Sequence, residues 1–179
     1  MKRLFFLAVI SFALVLCAAC GSEEAAETAG PIKVGALLSL TGEYDQYGLS
    51  IKDGIELAIK DINGKGGING EDYAVIYEDS KSTIDGAKAA LDNLIAQGVQ
   101  VVIGPEITEI CEEIIPYAAN KGIILISPSA TAPSLRELSI NAKGYFFRIC
   151  ATDDSEAGQL AIDMVRTSRW KFIKRAYNR

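Results

Sequence analysis

The sequence predicts an α/β fold, a doubly wound parallel sheet with helices on both faces. Three observations carry that expectation. Short apolar runs alternate four times with segments whose apolar residues recur at helical spacing. The runs are close to continuously apolar, as strands buried on both faces are. The connections between them are short, which suits right-handed crossovers within one sheet.

Each element follows from local chemistry. Ile32 to Leu38 is a strand, and Ser39 to Tyr47 is a loop. Ile51, Ile55, Ala58, Ile59 and Ile62 then form one helical stripe. Asn63 to Gly70 holds four glycines and is a turn. Tyr73 to Tyr77 is a second strand. Ser82-Thr83-Ile84-Asp85 has the form of a capping box, followed by a stripe of Ala87, Ala90, Leu91, Leu94 and Ile95. Val99 to Ile103, apolar but for Gln100, is a third strand ended by Gly104-Pro105. A third helix runs from Thr108 to Asn120, and Pro116 is expected to kink or divide it. Ile123 to Ile126 is a fourth strand, and Tyr145 to Ile149 a fifth. Asp153, with Glu156 three residues on, opens a fourth helix whose stripe is Ala157, Leu160, Ala161, Met164 and Val165.

The 179 residues hold 18 basic and 23 acidic groups and no histidine. Lys2 and Arg3 are the only charges before Cys20, and residues 166–179 carry six basic groups and no acid. The stretch between keeps the remaining 10 basic groups against all 23 acidic ones. So acidic a body repels phosphate and argues against a nucleic-acid partner. The absence of histidine excludes His-dependent triads and His-ligated zinc, and no cofactor motif is present.

Residues 1–19 read as an export signal: a basic start, an apolar run from Leu4 to Leu16 broken only by Ser11, then Ala18-Ala19. That run is short for a membrane span, which takes about 20 residues. Cys17-Ala18-Ala19-Cys20 resembles a lipoprotein cleavage box and marks Cys20 for lipidation. Simple secretion is the alternative. Residues 20–30 form a flexible tether. Cys111 and Cys150 remain in the body, either as a disulfide or as two free thiols.

In a parallel sheet ligands bind beyond the carboxyl ends of the strands. The loop after the fourth strand, Ser127-Pro128-Ser129-Ala130-Thr131, has three hydroxyls at alternate positions, which an extended segment turns the same way. The loop after the third strand delivers Thr108 to a helix N-terminus, where free N–H groups favour an anion. Local chemistry alone favours ordinary capping and turn formation as the explanation of the same residues. Glu106 opposes an anion there by its charge. Asn63 to Gly70 is glycine-rich, but it follows a helix and leads into a strand, the wrong order for a phosphate loop.

An ordered set of segments resembles the type I periplasmic binding proteins that serve branched-chain amino acid ABC transporters. These are Ile32-Lys33-Val34-Gly35, Leu40-Thr41-Gly42, Tyr47-Gly48, Gly54-Ile55-Glu56-Leu57-Ala58, Asp61-Ile62-Asn63, Gly66-Gly67-Ile68-Asn69-Gly70, Tyr77-Glu78-Asp79, Ile103-Gly104-Pro105, Ile126-Ser127-Pro128-Ser129-Ala130-Thr131 and Phe147-Arg148. The resemblance implies a two-lobed receptor that closes on an amino acid, hands it to permease subunits, and catalyses nothing. It implies that Thr108 binds the ligand's α-carboxylate, that Ser129 contacts the ligand through a backbone carbonyl or its hydroxyl, that the Thr131 hydroxyl binds its polar head, that Ala130 between them lines the site, and that Tyr47 packs on the ligand. The cysteines of a disulfide found in some members are replaced by Lys81 and Ile107. Glu106 stands where an apolar or small residue is common, which points to a ligand with a positive group or to one other than leucine, isoleucine or valine.

Residues 31–165 are thus expected to form the ligand-binding lobe and 166–179 a basic tail outside the family pattern. Family members are about twice this length, so the chain is expected to be a truncated or frameshifted receptor, lipid-anchored outside the cytoplasm at the cell surface or in the periplasm. A genuine basic tail for anionic lipid or a partner is the competing reading of the end. A sensory ligand-binding module is the alternative function. An enzyme using Asp153 or Glu106 for acid–base work comes a distant third.

Overall fold

A computed structural model describes residues 32–166; the signal, Cys20 and the tether, and all but the first residue of the basic tail, lie outside them. Five strands form one parallel sheet in the order β2-β1-β3-β4-β5. They are β1 (Ile32–Leu38), β2 (Tyr73–Asp79), β3 (Val101–Ile103), β4 (Ile124–Ser127) and β5 (Phe146–Arg148). Between and after them come α1 (Asp45–Gly64), α2 (Ile84–Ala96), α3 (Thr108–Asn120), α4 (Leu135–Asn141) and α5 (Asp153–Arg166).

The winding reverses beside β1. The chain leaves β1 through α1 to β2 on one side, then crosses through α2 to β3 on the other. Right-handed crossovers therefore put α1 on one face and α2, α3 and α4 on the opposite face. Helices α2 and α3 pack together, and α4 packs on α3. The main core lies between these three and the sheet: Leu91 and Leu94 of α2 and Ile114, Ile115 and Ala118 of α3 meet Leu37, Val102, Leu125 and Phe146.

Two glycines make the carboxyl ends of β1 and β3 fit closely. A Cβ on Gly48 would lie 2.1 Å from Ser39 O, and one on Gly104 would lie 2.0 Å from Leu37 O. Gly104 also has φ +114, a conformation that side chains resist. Glycine at both places lets the start of α1 and the end of β3 close on the backbone at the end of β1.

Some expectations are corrected and others hold. The N-cap of α2 is Thr83, whose hydroxyl accepts the Gly86 N–H at 3.0 Å; Ser82 plays no part in a capping box. Helix α3 runs through Pro116 undivided. Helix α1 starts at Asp45, inside the expected loop. Helix α4 is an addition, with too few apolar residues to show a stripe. The glycine-rich turn is structural, with a bridge between Ile68 and Glu71, and Asn63 exchanges two 2.9 Å hydrogen bonds with the Tyr73 backbone. Cys111 and Cys150 are free thiols.

Candidate functional site

The register of β3 and β4 pairs Ile103 with Ile126, so the loops that follow them lie side by side. Side chains stitch these loops together. Ser129 Oγ donates to Glu106 O at 3.0 Å, and Ser127 Oγ donates to Pro105 O at 2.6 Å while accepting the Ala130 N–H. The two loops that carry the predicted site residues Thr108, Ser129, Ala130 and Thr131 are therefore joined side by side. Tyr47 stands at the same end of the sheet, in the first turn of α1, and is 53% exposed.

The three alternating hydroxyls do not converge. Ser127 still belongs to β4, and the pleat turns it into the core, where it is fully buried. Ser129 lies beyond Pro128, outside the strand, so strand alternation no longer governs it.

Helix α3 begins with Thr108 and has no side-chain cap. Its first intrahelical acceptor is Ile107 O, taken by the Cys111 N–H. The preceding N–H groups of Thr108, Glu109 and Ile110 are thus left to a ligand or solvent, at the positive end of the helix. The Thr108 hydroxyl and both the N–H and hydroxyl of Thr131 also have no hydrogen-bond partner among the described residues. Such a set of neutral donors suits a carboxylate.

Glu106 does not stand exposed at this helix start. It is only 2% exposed, and its Oε1 accepts the Ser39 N–H at 2.8 Å, while Oε2 has no partner among the described residues. Its carboxylate links the end of β1 to the loop after β3. Cys111 lies behind the same loop, its thiol donating to Pro105 O at 3.3 Å. Burial pushes this thiol up to about 12.

Two structural anchors went unrecognised in the sequence. Asp79 closes β2; its Oδ1 accepts the N–H groups of Leu40, Thr41 and Lys81, and its Oδ2 accepts the Thr41 hydroxyl at 2.6 Å. Burial by itself would raise the Asp79 pKa, but the Thr41 hydroxyl and these three backbone donors outweigh it and lower the value. Arg148 closes β5 and bonds to carbonyls of the β4–α4 loop. The available signal was the same in both: a charged residue ending an otherwise mostly apolar strand. Ser82, set aside as a cap, accepts the Tyr44 N–H and donates to Thr41 O, holding the loop after β1.

No helix among the described residues is long and apolar enough to cross a membrane, and no group of acids and cysteines there is placed to hold a metal ion.

Comparison with known proteins matches this arrangement. Leu/Ile/Val-binding protein homolog 2 of Brucella abortus (strain 2308) is 31% identical over 87% of this chain and 39% of its own length. The branched-chain amino acid transporter substrate-binding protein LivJ of Streptococcus pneumoniae, solved with isoleucine, superposes with a TM-score of 0.63 at 32% identity, covering 69% of this chain and 34% of that one. A solute-binding protein of an ABC transporter from Rhodopseudomonas palustris, solved with 3,4-dihydroxybenzoic acid, gives 0.59 at 27% identity over 68% and 32%. The chain spans 34–39% of the length of the curated relatives it matches. The family model described as periplasmic binding protein matches residues 31–178, so the match continues past residue 165 into the basic segment. On that match, and on a sheet that superposes on substrate-binding relatives, the chain belongs to the periplasmic binding protein family.

Proposed function

We propose that this lobe is one jaw of an extracytoplasmic substrate-binding protein that delivers branched-chain or related amino acids to an ABC importer. The observation that carries the reading is the uncapped N-terminus of α3 at Thr108, on a loop that Ser129 ties to the loop bearing the unbonded donors of Thr131. Neutral dipoles hold a carboxylate without placing a mobile counter-charge beside it. The ligands named for two relatives, isoleucine and 3,4-dihydroxybenzoic acid, differ in shape but share a carboxylate. Ser129 and Ala130 set the loop, Tyr47 packs on the ligand, and the protein carries out no reaction on it.

Equilibrium dialysis of the 179-residue chain against leucine, isoleucine, valine and a set of polar amino acids tests the reading. We expect measurable binding that falls about tenfold or more in Thr108→Val, because a hydroxyl bonded to an ionised group is removed while shape is kept. Unchanged binding in that variant refutes the assignment.

We further propose that residues 1–19 are an export leader, that Cys20 carries a lipid anchor, and that residues 20–30 tether the lobe outside the cytoplasm. Metabolic labelling with palmitate is expected to mark the chain, and Cys20→Ala to abolish the label.

A further inference from the structure

The carbonyls of the β4–α4 loop gather on one guanidinium. Arg148 Nη1 donates to Ala132 O at 2.8 Å and to Ala130 O at 3.2 Å. The Cys150 thiol adds a third contact, to Ala130 O at 3.3 Å. Arg148 forms no ion pair with a carboxylate among the described residues. That is unusual for a half-buried guanidinium, whose planar fork suits carboxylates. Its charge is spent on the loop instead.

The Ala130 carbonyl shares a peptide group with the Thr131 N–H. That N–H has no partner among the described residues, whereas the Ala130 N–H is already held by Ser127 Oγ at 3.2 Å. Donation to a carbonyl pulls electron density toward its oxygen and makes the N–H of the same peptide a stronger donor. A cation behind the carbonyl also lowers the potential energy of an anion in front of the N–H.

We propose that Arg148 is a positioning residue for the ligand's carboxylate: it fixes the Ala130–Ala132 segment and, through the Ala130–Thr131 peptide, aims and strengthens the Thr131 N–H. This rests on the carboxylate-binding reading above. The side chain itself stays behind the loop and does not touch the ligand. A lysine would keep the charge but lose the rigid planar group that fixes the donor's direction.

Two readouts test the proposal on the 179-residue chain: the Thr131 amide proton shift without ligand, and the ratio of affinities for leucine and leucinamide, which lacks the carboxylate. In Arg148→Met the Thr131 amide proton is expected to move upfield, leucine affinity to fall about tenfold, and leucinamide affinity to change less than about twofold. Arg148→Lys is expected to restore part of the leucine affinity. Equal losses for both ligands, or an unmoved Thr131 amide, overturn the proposal. Should Arg148→Met fail to fold, Arg148→Lys carries the comparison; a lowered leucine-to-leucinamide ratio supports the role and an unchanged ratio overturns it. If the wild-type chain binds neither ligand, the carboxylate reading fails by itself, and the amide shift still decides whether Arg148 acts on Thr131.

Discussion

At Asp79 four donors converge on one carboxylate, and each belongs to the loops after β1 and β2. The ionised form is favoured in the native state, so the native pKa lies below the unfolded one. Stability from this group is fully present above the ordinary carboxylate value near 4 and is lost as pH falls through the lowered native value. Asp79→Asn is expected to cost about 1–3 kcal/mol in urea unfolding at pH 7, and progressively less as pH falls through the lowered native value, where wild type loses the same contribution. A cost that stays constant down to the acid unfolding limit contradicts this. Cys111 gives a second residue-level expectation. With its pKa pushed up to about 12 by burial, it stays a thiol and resists native alkylation at pH 8. Peptide mapping is expected to find label at the half-buried Cys150 well before Cys111.

The elements differ in what holds them. Helices α2 and α3 are anchored by buried faces, while α5 has no buried residue and exposes Leu160, Ile162 and Val165. Hydrogen exchange is expected to run at least about tenfold faster across α5 than across α3; equal protection contradicts the packing described. Thr83→Ala removes the α2 cap and is expected to cost about 1 kcal/mol. At this scale the sequence was legible wherever periodicity was long. All five strands and four of the five helices follow from alternating apolar runs and stripes. Helix α4, seven residues with only Leu135 buried, is too short to show a period. The cap was misread by one position because Ser82 and Thr83 are chemically alike; backbone geometry separates them, with Ser82 at φ +58 and Thr83 extended.

Across the molecule, the strand ends form a row of linked loops. Asp79 ties the loop after β1 to β2, Glu106 ties β1 to the loop after β3, Ser129 ties that loop to the one after β4, and Arg148 holds the last from β5. The loops that form the candidate site were legible in the sequence, because topology alone selects the carboxyl ends of the strands. Its polarity was only partly so. Thr108 and Thr131 keep open donors as expected, but Ser127 is consumed by the core and Glu106 is buried against Ser39. Those outcomes depend on partners 22 and 67 residues away in the chain, which local spacing does not reveal. The described core also leaves apolar side chains uncovered at the β5 side, with Phe147 53% and Ile149 79% exposed.

The direct test of carboxylate binding at the strand ends is a leucine titration of the 15N-labelled 179-residue chain, followed amide by amide. A single lobe is expected to bind in fast exchange, with a Kd on the order of millimolar. The largest shifts are expected at Thr108, Glu109 and Thr131, and in Thr108→Val they are expected to need about tenfold or more leucine to reach half their size. Shifts centred away from the loops after β3 and β4, or none at tens of millimolar leucine, contradict carboxylate recognition by this lobe.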